Sequence, residues 1–147
     1  MTLQGDYVPS QWEWVRQQVE TFEASGGTRA NTLRDSGDPI VVITSVGAKS
    51  GHLRKNPVMR VERDGLYLAV ASKGGSPDQP EWYFNFLAHP EVDLQDGAVK
   101  KTYAVRMLTG TERADWWDYA VRTWPTYGEY QKKTDREIPI FLLEPTD

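Results

Sequence analysis

Apolar residues recur along this chain at two periods, and the change from one to the other marks its elements. Trp12, Val15, Val19 and Phe22 stand three and four apart, the spacing of a single helix face. Ser10 and Glu13 form a capping box, Pro9 precedes it, and Gly26 and Gly27 follow the last apolar position, which predicts an amphipathic helix over about 10–25. Trp14 lies off that stripe. It either packs on a second surface inside the domain or meets a membrane or a partner, since interfacial helices favour exposed tryptophan. From Ile40 onward the pattern shortens. Ile40–Ser45 is a mostly β-branched run that predicts a buried strand. Val46–Asn56 reads as a loop. Pro57–Glu62 and Leu66–Ala71 read as a hairpin around Arg63-Asp64-Gly65, because Asp-Gly supplies the positive φ of a tight turn. Ser72–Pro80 is a Gly/Pro loop, and Glu81–Ala88 predicts a short helix ended by Pro90. Val92–Gln95 and Val99–Leu108 flank Asp96-Gly97 as a second hairpin. Thr109 and Glu112 offer another capping box for a helix through Trp116, Trp117, Ala120 and Val121 to Trp124, where Pro125 stops it. Ile138–Leu143 is a last apolar strand.

The sum is about six short strands joined largely by hairpins, with about three helices. No regular strand–helix alternation appears, so a doubly wound parallel sheet is disfavoured. The expected class is α+β, mainly β: a small antiparallel barrel with helices packed on it. One domain spans 1–147, its barrel over about 40–143, without internal repeats.

Composition removes several function classes. With 39% apolar and 12% aromatic residues in 147, the chain has ample material for a core and is not disordered. It holds no apolar run long enough to span a membrane and no signal-like apolar block, so a soluble, cytoplasmic protein is expected. The absence of cysteine excludes disulfides, thiolate metal sites and a cysteine nucleophile. Only His52 and His89 remain as imidazoles, without an HExxH, and no metal is expected. GxSxG, GxxxxGK[ST] and GxGxxG are all missing. An enzyme with this inventory takes its chemistry from a bound cofactor.

Charge then singles out one stretch. The net charge is −4, yet Gly47–Arg60 carries Lys49, Arg54, Lys55 and Arg60 and no carboxylate, and Lys73 follows. The plain interpretation is a solvated basic loop. Its glycine context argues for more: Gly47-Ala48-Lys49-Ser50-Gly51 can turn backbone N–H groups toward an anion, with Lys49 as a point charge and Ser50 as a hydroxyl donor. Arg54 adds a bidentate fork for phosphate or carboxylate. Ser72-Lys73-Gly74-Gly75 follows the returning strand of the first hairpin, so both glycine loops should lie at one end and enclose a medium-sized polyanion. Nucleic acid is disfavoured, because the patch is short and the remaining surface acidic.

Thr44-Ser45-Val46-Gly47-Ala48-Lys49-Ser50-Gly51, with Arg54, Pro57, Ala71-Ser72-Lys73-Gly74-Gly75 and Pro80-Glu81-Trp82-Tyr83-Phe84-Asn85-Phe86-Leu87-Ala88-His89-Pro90, resembles the deazaflavin-dependent nitroreductase family. This is the mycobacterial-type group of reductases and quinone reductases that use coenzyme F-420. The likeness runs over nearly the whole chain and implies an FMN-binding split-barrel-like fold of six antiparallel strands. Coenzyme F-420 is an 8-hydroxy-5-deazaflavin with a phosphate and an oligoglutamate tail, in keeping with the charge argument. By resemblance Lys49 and Arg54 hold phosphate and tail, with Ser50, Gly51 and Lys55 assisting. Met59, Ala71, Ser72, Lys73, Gly74 and Gly75 line the pocket beside the ring. Trp82 and Asn85 position the helix that closes it, or belong to the core. Tyr127 and Tyr130, three apart after Pro125, are either partly buried loop tyrosines or the wall of the substrate site, where a phenol can bond a carbonyl or relay a proton. Two departures stand out. Ala48 replaces a residue that is often basic, and Met59 stands where the nitroimidazole-activating member has tyrosine, which bears on nitro-prodrug reduction and not on cofactor binding.

The expected function is hydride transfer from reduced F-420 to a quinone, an enone or unsaturated lactone, or a nitroaromatic. The alternative is a non-catalytic or FMN-using protein of the same architecture. A peripheral contact of the N-terminal helix with the inner face of the membrane, and a monomeric or dimeric state, stay open.

Overall fold

The computed structural model describes residues 3, 5–33 and 37–146. Its frame is one antiparallel sheet of seven strands: β1 Ile40–Val46, β2 Leu53–Met59, β3 Glu62–Arg63, β4 Leu66–Val70, β5 Glu91–Asp96, β6 Val99–Met107 and β7 Ile140–Pro145. Their spatial order is β2-β1-β5-β6-β7-β4-β3. The chain passes directly from β2 to β3, so the two ends of the sheet are adjacent along the sequence and the sheet curls into a half-barrel. Four helices pack on it: α1 Glu13–Ala24, α2 Glu81–Ala88, α3 Gly110–Thr123 and α4 Thr126–Lys132.

Alternation explains why the strands read as nearly continuous apolar runs: both faces are covered. Val41 and Ile43 join Ala69, Phe141 and Leu143 in the barrel interior, together with Trp82 and Phe86 of α2. Ile40 and Val42, on the opposite face of β1, pack under Val15, Val19 and Phe22 of α1. Leu68, Val70, Ile140 and Leu142 turn outward onto Trp116 and Ala120 of α3 and Tyr127 of α4. Each fully buried side chain of this kind contributes about 1.5–3 kcal/mol, and a one-residue slip would reverse every assignment.

Several sequence expectations are corrected. The sheet has seven strands, not six, and Leu53–Met59, read as loop as far as Asn56, pairs with β1 along its whole length from Met59↔Ile40 to Leu53↔Val46. The expected strand Pro57–Glu62 is the end of β2 plus the start of the two-residue β3, with Arg60 and Val61 in neither strand. The Asp64-Gly65 turn is as expected, with both residues at positive φ (56° and 83°). Neither capping box forms. Ser10 Oγ accepts from the Trp12 amide at 3.1 Å, and α1 starts only at Glu13. Glu112 is held instead by two 2.7 Å bonds from Arg106, so it does not reach back to Thr109. Trp12 leaves the buried stripe and is 62% exposed. Finally, Pro125 ends α3 and at once caps α4, where a loop was expected.

Candidate functional site

Two clefts meet on one side of the barrel. The first, ≈ 660 Å³, is lined by Gly47, Ala48, Lys49, Ser50, Arg54, Glu81, Phe84 and Asn85. The second, ≈ 670 Å³, runs from Arg54, Lys55, Met59, Ser72 and Lys73 past Trp82 and Asn85 to Trp124, Tyr127 and Tyr130, with Ser10, Trp12, Trp14, Val15 and Leu33 along the α1 side. Arg54, Glu81 and Asn85 line both clefts, which makes them one groove.

The basic end is built by the β1–β2 hairpin. Gly47 exchanges bonds across the turn, its amide donating to the His52 carbonyl at 2.8 Å and its carbonyl accepting from Gly51 at 3.0 Å. The Ala48 amide donates to Asn85 Oδ1 at 2.9 Å, and Asn85 Nδ2 reaches Ser45 Oγ at 3.4 Å. Asn85 is buried on α2, so one amide side chain fastens the glycine loop to the helix beneath it. Of the loop amides expected to be able to turn toward an anion, those of Gly47, Ala48 and Gly51 are spent inside the fold. Ser50 Oγ accepts from the His52 amide at 3.1 Å, which leaves its proton to donate elsewhere. Among the described residues, Lys49, Arg54 and Lys73 have no carboxylate within ion-pair distance. Lys55 differs. Its Nζ lies 2.6 Å from Glu23 Oε2 on α1 and 4.7 Å from the centre of the Tyr7 ring. It lines the groove but spends its charge tying α1 to β2.

The other end is aromatic. Trp124 stands edge-on to Tyr127 and Tyr130 at centroid distances of 4.9 and 5.6 Å. Tyr127 is 4% exposed, and burial pushes its phenol well above the ordinary tyrosine range, with the neighbouring Tyr130 adding to the rise. Trp82 belongs to the core, packing on Phe86 at 4.8 Å and on Phe141 at 6.2 Å, and also borders the cleft.

Of the predicted site residues, Lys49, Ser50, Arg54, Lys55, Met59, Ser72, Lys73, Trp82, Asn85, Tyr127 and Tyr130 come together along this groove. Gly51, Ala71 and Gly75 are not in its lining. Gly51 closes the hairpin turn at φ 73°, and Ala71 is wholly buried in the barrel core. Gly75 supports the groove from behind, since a Cβ there would stand 2.8 Å from the Tyr130 carbonyl. Gly74 lies in the single 3-10 turn Lys73–Gly75. Sequence reasoning missed Glu81 and Phe84, although both sit in the quoted Pro80–Pro90 segment, and Trp124, taken only as a helix end. It also missed Arg136, a lone arginine between Asp135 and Glu137 that reads as a solvated charge.

The profile of the F420H(2)-dependent quinone reductases matches residues 14–145. The chain belongs to that family. The F420H(2)-dependent quinone reductase Rv1261c of Mycobacterium tuberculosis is 31% identical over 113 residues, covering 71% of this chain and 72% of its own. A second relative from that organism, putative F420H(2)-dependent quinone reductase Rv3178, is 26% identical over 107 residues, covering 73% and 90%. Among solved structures, the F420-H2 dependent reductase FDR-A is 53% identical, with a TM-score of 0.69 over 72% of this chain and 94% of its own. The haem storage protein HutZ of Vibrio cholerae shares the fold alone, at 11% identity and a TM-score of 0.53 over 90% of this chain and 91% of its own. The protein is thus an oxidoreductase of an F-420-dependent family, as its residues suggested. The half-barrel resembles that of FDR-A, and the FMN alternative gains no support.

Proposed function

We propose that this protein reduces quinones with coenzyme F-420 held along the continuous groove, and that enones, unsaturated lactones and nitroaromatics can enter the same acceptor site. The observation that carries the reading is the polarity of that groove, with Lys49 and Arg54 lacking carboxylate partners at one end and Trp124, Tyr127 and Tyr130 at the other. The residues present fit a long molecule with an anionic tail and a flat ring. Lys49 and Arg54 would hold the phosphate and tail, with Ser50 donating a hydroxyl. Ser72 and Lys73 would border the ring, and Met59 and Trp82 would pack beside it. Bound there, the reduced coenzyme supplies a hydride.

The chain's own task is orientation and exclusion of water. Tyr127 and Tyr130 face the acceptor side. Because burial keeps Tyr127 protonated at and well above neutral pH, its phenol acts as a hydrogen-bond donor to an acceptor oxygen that gains charge, and not as a base. Titration of the purified protein with F-420, followed by cofactor fluorescence with FMN as control, tests the assignment. Low-micromolar or tighter binding of F-420 alone is expected; binding of neither would refute the groove as its site.

The rim of the groove favours a second property, peripheral contact with a membrane. Trp12 and Trp14 border the second cleft and Phe84 the first, exposed by 62%, 40% and 52%. Co-sedimentation with anionic liposomes, lost in the Trp12→Ser/Trp14→Ser double variant, is the expected result. Protein that stays in the supernatant would end this reading. A solved relative that is 48% identical, with a TM-score of 0.71 over 92% of this chain and 100% of its own, is described as a domain-swapped dimer. Light scattering decides whether this chain also pairs.

A further inference from the structure

The Ser72–Gln79 segment, which carries Ser72 and Lys73 into the groove, has little structure of its own. Its internal backbone bonds are Gly75 to Ser72 and Ser76 to Lys73, at 2.9 and 3.1 Å. It also passes through two positive-φ residues, Lys73 at 44° and Gly75 at 84°. For a side-chain-bearing residue such as Lys73 that conformation is strained and persists only when its surroundings impose it.

Arg136 imposes it. All five N–H groups of its guanidinium are engaged; four acceptors belong to this segment and the fifth is the carbonyl of Ala71, the residue just before it. Nε donates to the Ser76 carbonyl at 3.0 Å. Nη1 donates to the Ala71 carbonyl at 3.1 Å and Gln79 Oε1 at 2.9 Å, and Nη2 to the carbonyls of Ser72 and Asp78 at 3.0 and 3.2 Å. No carboxylate lies within ion-pair distance of it among the described residues; carbonyl dipoles offset the charge. The backbone of Arg136 is in turn fixed to α4. Gln131 Nε2 donates to the Arg136 carbonyl at 2.8 Å, and Gln131 Oε1 accepts from the Ile138 amide at 3.0 Å. Gln131 directly follows Tyr130. The linkage therefore runs from the tyrosine helix through Gln131 and Arg136 to the Ser72 carbonyl, and so joins two neighbouring walls of the cleft.

We infer that Arg136 is a positioning residue, which sets the Ser72–Gly75 wall against the Tyr127–Tyr130 wall so that ring and acceptor are held at reacting distance. The inference rests on the groove's assignment to F-420. Lysine cannot replace it, because three protons on one nitrogen cannot reach five acceptors spread around a planar fork.

The test compares the parent with Arg136→Ala and Arg136→Lys, the second serving if the first does not accumulate folded. Three readouts are taken: amide hydrogen exchange, F-420 affinity by fluorescence, and the split of quinone kinetics into kcat and KM. Exchange across residues 73–79 should rise about tenfold or more in both variants, while β1, β5 and β7 keep their protection. Turnover should fall by about tenfold to a hundredfold, as expected for a misplaced ring, with KM for the quinone changed far less. Guanidinium chloride at low millimolar concentration should restore part of the turnover in Arg136→Ala. Unchanged exchange in 73–79, or exchange that rises equally in the central strands, would overturn the inference, as would full activity of Arg136→Lys. Failure of the parent to bind F-420 would instead strike the function proposed above, since the exchange readout does not depend on it.

Discussion

Lys49 and Lys55 carry the same charge six positions apart and meet different fates. Lys55 pairs with Glu23 at 2.6 Å, whereas Lys49 stands at the mouth of the groove with Arg54, and neither has a carboxylate within ion-pair distance among the described residues although Glu81 lines the same cleft. Lys49→Ala and Arg54→Ala should each weaken F-420 binding by about tenfold to a hundredfold, the worth of a charged hydrogen bond of roughly 1.5–3 kcal/mol. The loss should shrink at high salt, and fluorescence titration at two ionic strengths measures it. Lys55→Ala should instead lower the melting temperature and leave affinity within about threefold, since a half-buried pair is worth little more than a surface one. With its phenol raised by burial, Tyr127 gives turnover no inflection between pH 6 and 9. Tyr127→Phe should cut kcat by about tenfold with an unchanged pH profile, which steady-state kinetics across that range will read. The residue types at these positions were legible in the sequence, but the partners were not: nothing near Lys55 in the chain announces Glu23, 32 residues away.

Besides lining the groove with Glu81, Trp82 and Phe84, α2 fastens the glycine loop through Asn85, by a bond that crosses 37 positions of sequence to the Ala48 amide. Asn85→Ala removes that acceptor and leaves the amide at the edge of the core, at a cost of about 1–3 kcal/mol. The expected outcome is a lower melting temperature together with weaker F-420 binding; Asn85→Asp, which keeps the acceptor, should recover most of the affinity. Elements with a strong pattern were read correctly: α1 by its buried stripe, β1, β4 and β7 by apolar runs, and the Asp-Gly turn by its backbone demand. Two elements escaped, each for a physical reason. β2 is an edge strand whose residues Arg54, Lys55, Asn56 and Pro57 serve the groove, so it lacks the apolar alternation of a covered strand, and at an edge Pro57 costs no ladder bond. α4 hides behind Pro125, which ends one helix by lacking an N–H and opens the next because its φ of −56° already suits a first turn. The second capping box failed because Arg106 outbids a single backbone amide for Glu112, and in the first Glu13 accepts from Gln17 Nε2 instead.

At the scale of the whole molecule, burial raises the phenols of Tyr7, Tyr67, Tyr103 and Tyr127 together. A phenol whose folded value exceeds its unfolded value stabilises fully below about pH 10, and that contribution falls as pH rises toward the folded value, because only the unfolded chain releases the proton. For Tyr127 the loss is about 1.4 kcal/mol per pH unit in that window. Urea unfolding at pH 8 and pH 11 should therefore show a marked drop at the higher pH, smaller in Tyr127→Phe. The sequence alone determined the antiparallel, mainly β class, the need for a bound cofactor and the place of a basic, glycine-rich stretch, because periodicity, residue inventory and local charge all act over a few neighbouring residues. Tertiary structure alone decided the seventh strand and the fourth helix. It also decided which cations are paired with a carboxylate, which loop amides are spent inside the fold, and that Arg136 ties one wall of the groove to the other. Those outcomes depend on bonds between residues dozens of positions apart, and such bonds leave no mark on the local pattern of a chain.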